Sequence, residues 1–119
     1  MNRDYLDYIT DILNSINEID EFTADMDFEK FSYDKKTINA VIRSLEVMGE
    51  AAVKIPQNIR ERFAEIPWKR MAGMRNKLIH EYFGIDIEIV WEVCIKEIPL
   101  LKPLLEKMVK ELENSLSVN

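Results

Sequence analysis

Three residue types in this 119-residue chain could act together on a phosphate: Arg75, Asn76 and His80. Arginine offers a planar fork that matches a phosphate. Histidine titrates near neutrality and can carry a proton. Asparagine can orient the histidine or contact the phosphate. On a helix Asn76 and His80 are i and i+4 neighbours, within hydrogen-bond reach on one face, and the long side chain of Arg75 can reach the same spot. RNA supplies its own nucleophile, the 2′-OH. Its cleavage needs proton transfer and charge stabilisation at phosphorus, with no protein nucleophile and no metal. A plainer reading fits the same residues: Arg75 in a structural ion pair with Glu46 or Glu50, and His80 on the surface.

That chemistry uses an acid and a base, yet His80 is the only histidine. A two-fold dimer with this segment near its axis would supply two. The single Cys and single His also exclude an intrachain disulfide and a structural zinc site. No metal and no cofactor are expected. The net charge of −6 argues on average against a polyanionic ligand. The charge is unevenly placed, however. Residues 54–77 hold seven bases and two acids, or +5, and the remainder sums to −11. His80 lies three residues past the basic window. No apolar run approaches the roughly 18 residues of a membrane span. The N-terminal segment is acid-bearing and lacks a signal-peptide core, so no membrane association and a cytoplasmic location are expected.

The elements that must position these residues read as helices throughout. Three Gly and four Pro leave little turn chemistry. Apolar residues recur at helical spacing, over about residues 2–20 (Leu6, Ile9, Ile12, Leu13, Ile16, Ile19) and about 33–54 (Ile38, Val41, Ile42, Leu45, Met48, Ala52). Phe22, Phe28 and Phe31 are expected as packing anchors in an acidic connection. Pro56 and Pro67 suit the first turns of two further helices, the second spanning about 68–82. Gly84 suits its C-terminal stop and Asp86 the next N-cap. The last helical stretch reaches about residue 116, with Pro99 and Pro103 expected to kink or split it. The expectation is one domain over residues 1–119, an all-α antiparallel bundle of about five helices.

On a wheel with Trp68 at zero, the apolar residues of the 68–82 helix cover an arc from about 240° through zero to about 60°. Arg75 falls inside it, at about 340°. A guanidinium there needs a partner or a wet cleft, because an unpaired buried charge costs several kcal/mol. Asn76 and His80 fall at its edge, at about 80° and about 120°.

The segments Glu65-Ile66-Pro67-Trp68 and Met74-Arg75-Asn76-Lys77-Leu78-Ile79-His80-Glu81-Tyr82-Phe83-Gly84-Ile85-Asp86 closely resemble the HepT-like branch of the HEPN superfamily. Its R-x4-H-x-Y motif reads here as Arg75, His80 and Tyr82. Gly49-Glu50-Ala51-Ala52 before Pro56, and Asp86 to Trp91 after the motif, resemble the family too. The resemblance implies a HEPN fold and a homodimer with the motif at a cleft on its two-fold axis. It implies a metal-independent ribonuclease toxin of a toxin–antitoxin pair, acting on RNA such as tRNA or mRNA. Arg75 would polarise the scissile phosphate and His80 would be the general acid or base. The implied partner is an MntA-like nucleotidyltransferase antitoxin that adds AMP to Tyr82. Bulk and negative charge two residues from His80 would repel RNA phosphates.

Other residues read more plainly. Tyr82, at about 320° on the wheel, also suits a core aromatic. Cys94 lies in an apolar arc and reads as inert core. Trp68 and Trp91 read as packing anchors. Arg43 and Glu50, on the polar stripe of the 33–54 helix, are candidate outer partners of the cleft. The competing functional reading is a non-catalytic helical adaptor, or a nucleotide-binding partner, of a minimal nucleotidyltransferase.

Overall fold

Asp4 opens the first helix: its carboxylate accepts the Leu6 N–H at 3.3 Å. Helix α1 spans Tyr5–Thr23, and Ile9, Ile12, Ile16 and Ile19 on its inner face are buried. The structure is a computed structural model that describes the backbone of residues 4–79 and 86–117 and the side chains of residues 4–74 and 86–115. Asp25, at φ 62°, reverses the chain after α1. Aspartate adopts this left-handed conformation at less cost than most residues.

The acidic connection then folds into a short helix that periodicity did not reveal, α2 (Phe28–Tyr33). Asp27 caps it, its carboxylate accepting the Lys30 N–H at 2.8 Å. Of the three expected aromatic anchors, Phe31 is fully buried and its ring lies 5.0 Å from that of Trp91. Phe28 covers the same indole at 6.5 Å but stays 38% exposed. Phe22 packs half-buried against the core.

Asp34 serves two helices. Its N–H donates to the Phe31 carbonyl, and its carboxylate accepts the Thr37 N–H at 3.1 Å and the Thr37 hydroxyl at 2.9 Å. It thereby starts α3 (Lys35–Val53), so this helix begins just after Tyr33 rather than at it. The hydrogen bond from the Thr37 N–H, with that from its hydroxyl, holds the Asp34 carboxyl below its ordinary pKa. A depressed folded-state pKa contributes stability above the unfolded value, lost as pH falls through the folded one. Asp34→Ala should therefore lower the urea midpoint at neutral pH. The gap to the parent protein should close in acid, below the usual carboxylate range. A gap independent of pH would show that the carboxylate charge is not the stabilising element.

Helix α4 (Gln57–Arg62) follows Pro56, which sits at the N-cap position rather than inside the first turn. Its carbonyl accepts from Ile59 and Arg60. Helix α5 (Trp68–Ile79) follows Pro67, whose carbonyl accepts from Met71. Asp86 caps α6 (Ile87–Glu92), accepting the Ile89 N–H at 3.2 Å. A π-helical turn (Val93–Glu97) joins α6 to α7 (Ile98–Ser117) without a break. The prolines thus do not split this stretch. Pro99 has no N–H for the Ile95 carbonyl and its ring crowds that oxygen. The helix widens just ahead of it, and the Ile98 N–H reaches back to Val93. Pro103 is carried inside α7. With α6, the π turn and α7 taken as one, the described residues form six helices and no strand.

The bundle is antiparallel where its contacts fix direction. Ser44 of α3 donates to Glu18 of α1 at 3.0 Å. Near the other end of α1, Tyr8 and Asp11 share a groove with Val47 and Lys54. Lys102 of α7 donates to Asp20 at 3.0 Å, while Leu13 lies with Val109 and Glu113. One core runs through all of this, from Ile9 to Leu112. Cys94 is part of it. Burial, then the nearby Asp20 carboxylate, pushes its thiol up to about 12, so it is unreactive at neutral pH. Among the described residues no helix is long and apolar enough to cross a membrane.

Candidate nucleic-acid site on α5

Helix α5 is fixed at its start by tryptophan and at its middle by methionine. The Trp68 indole N–H donates to the Phe63 carbonyl at 3.1 Å, and Trp68, Met71 and Met74 are buried. Arg70 pairs with Glu97 of the π turn, which ties α5 to the last helix. The pair raises the guanidinium pKa, through the hydrogen bond first and the charge second, so it stays fully cationic. The helical backbone continues to Ile79 and carries positions 75 and 76 in its final turns. By register position 75 lies on the face of Trp68 and Met71, and position 76 at its edge. His80 and Tyr82 lie outside the described residues, as does Gly84, and the side chains of Arg75 and Asn76 are not described.

Around this helix the structure defines two open spaces. One, of about 310 Å³, lies between α5 and the α6–π segment. It is lined by Arg70, Gly73, Met74, Val93, Glu92 and Glu97, among others. Gly73 is exposed within the helix, and a Cβ there would meet nothing within 4 Å. Glycine inside a helix costs roughly 0.5–1 kcal/mol relative to alanine. Internal packing does not require it here, and sequence reading passed over it, although a helix-interior glycine two residues before the motif was a visible signal. The second space, of about 520 Å³, lies between α4 and the start of α5, with Arg60, Lys69 and Arg70 along it.

The +5 window is therefore not a single positive face. Arg62 turns away, to Ser115 at 3.4 Å and over the Phe63 ring at 5.1 Å. Lys54 lines the α1–α3 groove. Only Arg60, Lys69 and Arg70 line one groove among the described side chains. The two α3 candidates also have other contacts. Arg43 is well exposed and pairs with Glu46 on its own helix at 3.6 Å. Glu50 lines the α1–α3 groove with Tyr8 and Asp11. Trp68, buried and bonded to the Phe63 carbonyl, and Trp91, half-buried against Phe31, are both packed into the fold.

Comparison with known proteins gives this arrangement its relatives. The profile of the HepT-like ribonuclease family (Ribonuclease HepT-like) matches residues 12–108, which include the whole of α5 and the motif. A protein of Methanocaldococcus jannaschii, provisionally named as an RNase, is 51% identical over 111 residues, covering 93% of this chain and 96% of its own. A protein of Thermococcus cleftensis, named as a probable ribonuclease HepT, is 48% identical over 110 residues, covering 92% of this chain and all of its own. A third, from Caldanaerobacter subterraneus and again provisionally named as an RNase, is 45% identical over 105 residues, covering 88% and 90%. No solved structure is significantly similar. With a family match over most of the length and these identities, the chain belongs to the HepT-like ribonuclease family.

Proposed function

We propose that the protein is a metal-independent endoribonuclease, the toxin of a toxin–antitoxin pair, acting in the cytoplasm as a homodimer of single HepT-like domains. The observation that carries this is the family match across the segment bearing Arg75, Asn76 and His80, with positions 75 and 76 on a helix anchored in the core through Trp68, Met71 and Met74. In the proposed reaction a 2′-OH attacks the adjacent phosphorus and the P–O5′ bond breaks. One His80 accepts the 2′-OH proton, and the partner's His80 protonates the departing 5′-oxygen. Arg75 neutralises charge on the non-bridging oxygens, where a preorganised cation acts most strongly. Asn76 orients the imidazole or the phosphate. Arg43 and Glu50 act on the cleft from α3 without touching the phosphate.

The purified protein should cleave tRNA or mRNA in EDTA and leave 2′,3′-cyclic phosphate ends. Cleavage that stops in EDTA and returns with a divalent metal would overturn the mechanism.

The same reading makes Tyr82 the point of control. An AMP group transferred by a nucleotidyltransferase antitoxin adds negative charge beside a site that must admit phosphates. Incubation with that antitoxin and ATP should raise the mass by about 329 Da per AMP and suppress cleavage. Tyr82→Phe should take up no AMP and stay active in its presence. Equal modification of the variant would place the target elsewhere.

A further inference from the structure

The groove between α4 and α5 differs in sign from the others. It carries Arg60, Lys69 and Arg70 against one acid, Glu61; Arg70 is paired with Glu97, so Arg60 and Lys69 are the cations it offers. The grooves at α1–α3, at α1–α7, at α5 and the π turn, and beside Trp91 each carry more acids than bases. On a chain of net charge −6, of these grooves formed by the described residues this is the one where a polyanion meets least repulsion. The cations are also held ready. Arg60 is anchored by donating its Nε–H to the Ile55 carbonyl at 2.9 Å, which leaves the outer donors of the fork for a ligand. Lys69 is exposed and has no ion-pair partner among the described residues.

The groove leads toward the motif. Lys69, Gly73 and Asn76 fall on one stripe of α5, at about 100°, about 140° and about 80° on the wheel. Lys69 and Asn76 are seven residues apart, about 10 Å along the axis. Between them Gly73 is exposed and carries no side chain, and it opens on the neighbouring space between α5 and the α6–π segment.

We propose that the α4–α5 groove is a docking track for the sugar–phosphate backbone of RNA beside the cleavage point. Arg60 and Lys69 contact phosphates, Arg70 stands at the rim, and Pro67 and the edge of Trp68 form an apolar floor. The proposal rests on the ribonuclease reading for the identity of the polyanion. Its recognition is of backbone charge, so it adds affinity for long substrates and no base preference.

The test is fluorescence anisotropy in a His80→Ala background, with labelled oligouridylates of about 20 and about 4 nucleotides. Lys69→Glu combined with Arg60→Gln should weaken binding of the longer RNA about tenfold. The slope of log K against log salt should become shallower by about 1.4, or roughly 0.7 per lost phosphate contact. The short RNA should change less than about twofold. Lys69→Glu alone, at an exposed position, should give the same effect in smaller measure, and Glu61→Lys should tighten the longer RNA. Unchanged binding of the longer RNA, equal losses for both lengths, or no binding by the parent protein each overturns the track. The ribonuclease reading fails separately. A His80-containing protein that binds RNA but does not cut it overturns that reading while the groove stands. One that cuts and ignores the groove substitutions does the reverse.

Discussion

RNA cleavage by a His80→Ala protein should fall by about 10²- to 10⁴-fold, the usual range for removing a positioned acid or base. In a two-fold site the loss removes both the group that takes the 2′-OH proton and the one that protonates the leaving oxygen, so the upper part of that range is expected. Arg75→Ala should cost about 10²- to 10³-fold, as loss of a charge-stabilising donor commonly does. Arg75→Lys should recover only part of it, because a point charge cannot reproduce the fork. The helical circular dichroism of each variant should match the parent. Mixing the His80→Ala variant with the parent protein is the sharper measurement. If one cleft needs both His80 side chains, mixed dimers with a single His80 should be largely inactive, and activity should fall more steeply than the parent's share of the mixture. Persistent cleavage by both single variants would remove Arg75 and His80 from the chemistry.

Phe31→Ala should be the most damaging of the aromatic substitutions to stability, at about 3–5 kcal/mol. Helix α2 has six residues, far too few to hold its shape alone. What holds it is burial of one ring, fully covered and 5.0 Å from Trp91, where α2 meets α3 and α6. A domain of this size has a total stability of about 5–15 kcal/mol, so the loss removes a large share. It should appear as a lower urea midpoint. Phe28→Ala touches the same indole from a position 38% exposed and should cost clearly less. Equal losses would mean that Phe31's burial is not what fastens α2.

Much of this architecture could be read along the chain. The helical recurrence of Ile9, Ile12, Ile16 and Ile19 gives α1 and its buried face, and that of Val41, Leu45, Met48 and Ala52 does so for α3. Both patterns are long enough to exclude a strand. Asp86 read as an N-cap is one. Helix α2 escaped notice because six residues hold too few apolar positions to show a period. Only its flanking aspartates, Asp27 and Asp34, marked it. The prolines of the last helix were visible but their effect was not. Pro99 removes one donor, and whether the chain breaks or widens depends on what the neighbouring turns gain by staying packed. Ile98, Leu101 and Leu105 are buried, so a widened turn at Val93–Glu97 keeps that contact.

For the site, the sequence alone determined the residue types and their spacing. Arg75, Asn76 and His80 stand at intervals that one helix can gather, and Tyr82 follows two residues on. Those are local matters, set by helical rise and rotation. Only the tertiary structure decided which charges of the basic window act together. Arg60, Lys69 and Arg70 share a groove because the connection from α4 into α5, closed by the Trp68–Phe63 hydrogen bond, turns the chain, while Arg62 faces Ser115 and Lys54 lines the α1–α3 groove. Likewise Lys102 meets Asp20 from 82 residues away. Charges act through space, with strength set by distance and by access to water. Those distances come from how the helices pack on a shared core, which no interval along the chain records.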